Sequence, residues 1–167
     1  MTITAETGRA YVPFLRRQLR AAHVALQSTI KPRNRRLCLR EMSLALVNDT
    51  RMSSLHEEFM GIHGPTDVLT FPIDQDASGH VTSGEVIVCV PQARRQAKEH
   101  RIPPRLELLL YAIHGMLHLL GYDDRTARDF HTMHRTEDDI LTKLGFGPVF
   151  APATAAARST KTSRRAR

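Results

Sequence analysis

The chain has 167 residues, which is close to the common size of a single domain and long enough to bury a core. Its only cysteines, Cys38 and Cys89, are far apart, which argues against a disulfide framework and favours a reducing compartment. The N-terminus does not resemble a signal peptide, and no segment is long and apolar enough to cross a bilayer. We therefore expect a cytoplasmic protein without a membrane partner.

The net charge of +7 is distributed unevenly along the chain. Residues 1–36 contain eight basic residues and one acidic residue, and residues 151–167 contain five basic and no acidic residues. The intervening segment, 37–150, contains eleven basic and sixteen acidic residues. We expect one metal-dependent hydrolase domain over 1–150, with a divergent N-terminal strand and helix in 1–35, and a basic, disordered tail over 151–167. The tail is either a dispensable extension or an arm that binds phosphates.

Hydrophobic spacing and turn residues predict alternating helices and strands without repeats. In chain order, the predicted elements are a helix over 12–28, a strand over 37–47, a helix over 49–59, a strand over 68–71, a polar loop over 74–79, a strand over 85–90, and helices over 91–100, 103–120 and 126–144. About four strands with helices packed on them indicate an α+β or mixed α/β fold.

Residues 114–124, which read HGMLHLLGYDD, have the pattern of a metal site. His114 and His118 are four residues apart, so on a helix they lie on the same face. Gly121 can adopt a positive φ and end the helix, and Asp124 can then fold back as a third ligand. Three protein ligands with a fourth position left for water are typical of a catalytic zinc site.

A bare pair of histidines at this spacing is more often two hydrogen-bonded core residues than a metal site. The surrounding sequence favours the metal, because residues 106–120 are almost entirely apolar and two buried imidazoles without partners would be costly. A shared ion would satisfy one nitrogen of each ring.

The same run resembles the H-G-x-L-H-L-x-G-Y-D-H signature of the YbeY family of rRNA maturation endoribonucleases, with ten of eleven positions matching. A second family block, T-D-V-L-S-F-P, is matched by TDVLTFP at residues 66–72, and a third by GEVIV at residues 84–88. The resemblance covers about residues 36–145, and we find none in residues 1–35 or in the last 20.

The resemblance implies a zincin-like fold, with helices around a buried central metal-binding helix and a divalent metal, most simply Zn²⁺, held by His114, His118 and Asp124. It implies a single-strand-specific endoribonuclease in ribosomal RNA maturation, acting in 16S 3′ end processing and ribosome quality control. The expected partners are ribosomal RNA and the ribosome, with a ribosomal protein or a GTPase as a further partner.

Two positions depart from the family pattern. Asp124 replaces a third histidine, and its negative charge should make metal-bound water less acidic and iron or manganese more suitable. Met60 stands where relatives carry an arginine that is thought to assist the reaction. Arg51 is a candidate replacement, and Asp123 is a second candidate assisting group, because it could orient a ligand histidine or simply form a turn.

Other polar residues have simpler interpretations. Asp67 could steady a ligand or a strand end, and we favour the strand end. We expect His131 and His134 to be surface groups or to support the ligands. His63 and His80 fall in predicted loops.

Three functions remain open on the sequence. The first is a metal-dependent endoribonuclease, in which the ion polarises a phosphoryl oxygen and holds the attacking water. The second is a metallopeptidase, disfavoured because Gly115 occupies the position of the catalytic glutamate in such enzymes. The third is a metal-stabilised, ribosome-associated factor with little or no nuclease activity.

Overall fold

A four-stranded sheet forms the centre of the computed structural model, which describes residues 1–29 and 39–149. The strands are β1 (Thr2–Ala5), β2 (Glu41–Val47), β3 (Val68–Gln75) and β4 (Val81–Cys89), in the order β1-β2-β4-β3. The first three strands in this order are parallel, and β3 pairs antiparallel with β4. The helices are α1 (Val12–Thr29), α2 (Asp49–Met60), α3 (Val90–His100), α4 (Pro104–Leu119) and α5 (Ala127–Lys143), with a short 3-10 turn at Arg9–Tyr11.

The two faces of the sheet carry separate cores because side chains alternate along a strand. On one face, Val86 and Val88 of β4 join the main core with residues of α1, α4 and α5. On the other face, Ile87 and Cys89 pack with Met52 of α2 in a smaller core. Helices α2 and α4 therefore lie on opposite faces of the sheet.

Helix α4 is the central helix that the sequence predicts. Eleven of its sixteen residues are buried, and it packs against α1, α3, α5 and the sheet. Gly121 ends the helix with a φ of 79°, and its N–H donates to the carbonyl of His118, while the N–H of Tyr122 donates to the carbonyl of Leu117. This paired C-terminal motif satisfies carbonyls at the helix end and reverses the chain there.

The predicted mixed α/β fold is confirmed, and so is each helix to within two residues. Sequence patterns failed between β3 and β4, where we predicted a polar loop over 74–79. Strand β3 instead continues through Gln75, and Asp76 accepts hydrogen bonds from the N–H groups of Ser78 and His80 in a tight hairpin turn. The Asp76 hydrogen bonds and the antiparallel pairing with β4 stabilise this segment as a strand and turn despite its polar composition. The pairing is irregular near Pro72 and Asp74.

Some predictions fall outside the described residues. The start of the strand predicted over 37–47, the basic tail over 151–167 and Cys38 are among them; β2 begins at Glu41. No helix within 1–29 or 39–149 combines the length and the apolar character needed to span a membrane.

Candidate metal centre

Helix α4 and the turn that follows it bring His114, His118 and Asp124 together. The Nε2 atoms of the two histidines are 3.1 Å apart, and Nε2 of His114 is 3.8 Å from Oδ2 of Asp124. One donor atom from each residue lies within 4.8 Å of the other two. We call these three residues the donor cluster. Two ligands about 2 Å from one tetrahedral ion stand about 3.3 Å apart. The two histidine nitrogens already have the spacing of two ligands of a single metal ion, and the Asp124 oxygen lies further from them.

The hydrogen bonds of the two rings show why the donor cluster fits a cation. Nδ1 of His114 donates to Oε1 of Glu137 at 2.7 Å, and Nδ1 of His118 donates to the carbonyl of Tyr122 at 3.1 Å. A neutral imidazole has only one N–H, so these two acceptors leave a lone pair on each Nε2. Two lone pairs that face each other at 3.1 Å repel unless a cation or a proton lies between them. The residues present therefore fit a metal ion.

Glu137 of α5 is the supporting residue that the sequence analysis missed. Its carboxylate is fully buried and accepts a hydrogen bond from His114 with one oxygen and from Nδ1 of His134 with the other, the second at 2.6 Å. A carboxylate that fixes the orientation of a ligand imidazole is a common feature of metal sites. A signal was present in the sequence, because Glu137 falls on the apolar stripe of α5 that contains Met133, Ile140 and Leu141.

The acidic groups around His114 also change its protonation. Burial alone would lower the pKa of His114, but the hydrogen bond and charge of Glu137, with the charges of Asp124 and Asp67, raise that pKa above its usual value. Protons therefore compete with a metal for this ring more strongly than they would at an ordinary histidine.

A cavity of about 480 Å³ opens beside the donor cluster. His114 and Asp124 line it, together with residues from the segment before β3 and from α3, α4 and α5. The side chain of His114 is 19% exposed and that of Asp124 is 38% exposed. A substrate can thus approach the donor cluster through this cavity.

Gly115 is held against the sheet by close packing. A Cβ atom at this position would lie 2.5 Å from Cγ1 of Val86 and 3.1 Å from Oγ1 of Thr70. Only glycine permits this approach of α4 to the sheet. A glutamate here, as a metallopeptidase requires, would collide with β4.

The structure does not place the two predicted assisting groups, Arg51 and Asp123, where they could assist as predicted. Arg51 lies in the exposed first turn of α2 and is not among the side chains that line the cavity, and Met60, at the end of the same helix, is 56% exposed. Asp123 accepts hydrogen bonds from the N–H groups of Asp124 and Arg125, as a turn residue does. Since Glu137 and the Tyr122 carbonyl occupy Nδ1 of both ligand histidines, Asp123 does not orient either ring.

Asp67 and three further histidines, His131, His63 and His80, lie outside the donor cluster. Oδ1 of Asp67 accepts from the N–H of Val68 and from the hydroxyl of Thr66 at the start of β3, and Asp67 also lines the cavity. His131 is exposed, and His63 is exposed beside Glu57. His80 belongs to the β3–β4 hairpin.

Comparison with known proteins identifies the family of the chain. The model of the family described as Endoribonuclease YbeY matches residues 6–145, so the family likeness begins well before residue 36, where our sequence comparison placed its start. The chain is similar to Endoribonuclease YbeY of Geobacillus thermodenitrificans, with 32% identity over 63% of this chain and 73% of the relative. The corresponding values are 38%, 63% and 73% for the Moorella thermoacetica protein, and 36%, 62% and 70% for that of Persephonella marina.

A likeness of fold extends further. The solution structure of TM1509 from Thermotoga maritima superposes with a TM-score of 0.55 at 23% identity, covering 99% of this chain and all of the other. That likeness concerns the fold alone. The family match over residues 6–145, with the identities to curated relatives, shows that the chain belongs to the YbeY endoribonuclease family.

Proposed function

We propose that this protein is a metal-dependent endoribonuclease that cleaves single-stranded ribosomal RNA during its maturation, including processing at the 3′ end of 16S rRNA and ribosome quality control. The dependence on a metal rests on one observation. The Nε2 atoms of His114 and His118 face each other at 3.1 Å beside the carboxylate of Asp124, at the edge of a cavity. Membership of an endoribonuclease family supports RNA as the substrate.

His114, His118 and Asp124 would hold one divalent ion, and we propose Zn²⁺ because two imidazoles and a carboxylate suit it. Such an ion, when bound, polarises a phosphoryl oxygen and lowers the pKa of a coordinated water. Glu137 keeps the proton of His114 on Nδ1, so that Nε2 stays directed at the cluster. The carboxylate of Asp124 adds negative charge, which also suits iron or manganese.

A second candidate is a ribosome-associated factor that uses the metal for stability and cleaves RNA weakly or not at all. Met60 favours this alternative, since it replaces the family arginine and Arg51 does not line the cavity. A metallopeptidase is a weaker candidate, because the packing of Gly115 against Val86 leaves no room for the required glutamate. Ribosomal RNA and the ribosome, with a ribosomal protein or GTPase, stay expectations that rest on the family.

The test is to incubate protein loaded with Zn²⁺, Mn²⁺ or Fe²⁺ with single-stranded rRNA fragments and, separately, with casein. We expect RNA cleavage that His114→Ala abolishes, and no casein hydrolysis. Bound metal without RNA cleavage would favour the ribosome-associated factor, and casein hydrolysis would favour the peptidase.

A further inference from the structure

Phe130 is an exposed aromatic side chain beside the donor cluster. It begins the second turn of α5, is 44% exposed, and lines the cavity that also contains His114 and Asp124. Within the described residues, six other large apolar side chains are exposed, and none of them lines this cavity. Among the described residues that line this cavity, Phe130 is thus the one exposed large apolar side chain.

The ring of Phe130 is fixed through a series of contacts that ends at a ligand histidine. The rings of Phe130 and His134 form a T-shaped contact, with centroids 4.0 Å apart and an interplanar angle of 79°. His134 donates to Glu137, and the same carboxylate holds His114. The rings of His134 and His114 are nearly parallel, at 23°, with centroids 6.4 Å apart. These contacts fix the position of the Phe130 ring relative to the donor cluster.

A fixed, half-exposed aromatic ring beside a reaction centre offers what an unpaired nucleobase needs. Base stacking on aromatic side chains is strong and largely independent of sequence, because every base has a π-face. Bases in a duplex are stacked on their own neighbours and cannot be splayed onto such a ring without losing that stacking. A stacking ring therefore selects single strands by geometry, without hydrogen bonds to base edges.

We propose that Phe130 is a stacking platform for one unpaired base of the RNA substrate, next to the phosphate that reaches the donor cluster. This inference rests on the proposed ribonuclease function and deepens it, since it assigns single-strand selectivity to a particular side chain.

The chain contains no tryptophan, so Phe130→Trp introduces a single fluorescent reporter at the platform. Phe59→Trp is the matched control, because Phe59 is 55% exposed and lies on α2, on the other face of the sheet. Each metal-loaded variant is mixed with a short single-stranded RNA or with the same RNA as a duplex, and fluorescence is followed by stopped flow before turnover. We expect the single strand to quench Phe130→Trp, the duplex to quench it far less, and neither to quench Phe59→Trp.

Phe130→Leu keeps an apolar side chain of similar size and removes the π-face. We expect it to weaken single-strand binding by roughly 5- to 150-fold, the range for the loss of one stacked base, with an unchanged melting temperature. Equal quenching by single strand and duplex, or unchanged affinity of Phe130→Leu while wild-type protein still cleaves single-stranded RNA, would overturn the platform and leave the proposed function standing. If the wild-type protein neither binds nor cleaves single-stranded RNA, both proposals fail.

Discussion

Two polar clusters near the sheet contain residue types that bind metals. They differ in whether their donor atoms are already occupied by other side chains. At the end of β4, the Arg95 guanidinium forms two hydrogen bonds to Asp49, of 2.9 and 2.7 Å, and Sγ of Cys89 donates to the same carboxylate. We call these three residues the ion-pair cluster. Its carboxylate is already neutralised, and the Arg95 hydrogen bond holds the pKa of Asp49 below its usual value. In the donor cluster, by contrast, two nitrogen lone pairs face each other.

The comparison shows that residue type alone does not identify a metal site. Cys89 and Asp49 are potential ligands whose donor atoms are occupied by other side chains. In His114 and His118, the protein's own acceptors occupy the Nδ1 atoms and so leave the Nε2 atoms without a protein donor. A metal site is recognised by donor atoms that converge and that the fold leaves unsatisfied.

The largest effect should come from separating α4 from the sheet. Gly115→Ala would place a methyl group 2.5 Å from Cγ1 of Val86, and overpacking of this kind costs about 1–3 kcal/mol of folding free energy. We expect lower stability in urea and weaker metal binding. Gly61→Ala is a control, since a Cβ there meets nothing within 4 Å and only the φ of 68° is strained. Equal metal loss in both variants would contradict the proposed role of the Gly115 contact.

The support that Glu137 gives to His114 should be visible in metal affinity. Glu137→Gln weakens the acceptor for Nδ1 of His114, and loss of such a partner typically lowers metal affinity by roughly 10- to 100-fold. Glu107→Gln is matched to it, because Glu107 is also a buried carboxylate bonded to a histidine, His100. Competition with a chelating dye measures both variants. If metal affinity falls equally in both variants, the loss is a general effect of removing a buried charge, and the specific role of Glu137 is contradicted.

The sequence could predict the site residues that lie close together along the chain, but not those that are brought in by a distant element. His114, His118 and Asp124 lie within eleven residues, and helical spacing plus one reversal at Gly121 brings them together. Glu137 is 23 residues from His114, so its contact depends on how α5 packs against α4. Arg51 is near Met60 in the chain, but both belong to α2, which follows β2 on the other face of the sheet. Local geometry was predictable, whereas contacts between elements were not.

Asp124→His restores the third histidine of the family and raises the charge of the site by one unit. Because Asp124 is 38% exposed at the cavity, a larger ring can be accommodated with little repacking. We expect metal to be retained and RNA cleavage to hold or rise, as bound water becomes more acidic. Cleavage rates and elemental analysis, each compared with the wild type, check this. Loss of the metal would mean that the surroundings have adapted to a carboxylate.

The smallest effect should come from the ion-pair cluster. Arg95→Ala removes an ion pair whose partners are 47% and 42% exposed, and exposed pairs contribute about 0.2–1 kcal/mol. We expect a slight loss of stability in urea and unchanged metal content. A drop in bound metal would contradict the division into two independent clusters.

Cys89 gives a pH test of the same cluster. Burial raises the pKa of its thiol to about 11, so in a Cys38→Ser background it should not react with thiol reagents at pH 9 until the protein unfolds. The unfolded thiol loses its proton at a lower pH, near 8.5, so the contribution of Cys89 to stability should decline as pH rises through that value. Rapid labelling of folded protein at pH 9 would contradict the burial.

Elemental analysis of freshly purified protein tests the central claim most directly. The wild type should carry about one divalent metal per chain, since the donor cluster offers ligands for a single ion. His114→Ala should carry almost none, while His100→Ala, which removes a histidine bonded to buried Glu107 outside the donor cluster, should keep the metal. A wild type that stays metal-free after purification in the presence of Zn²⁺, Mn²⁺ or Fe²⁺, or a His114→Ala variant that retains its metal, would contradict the account.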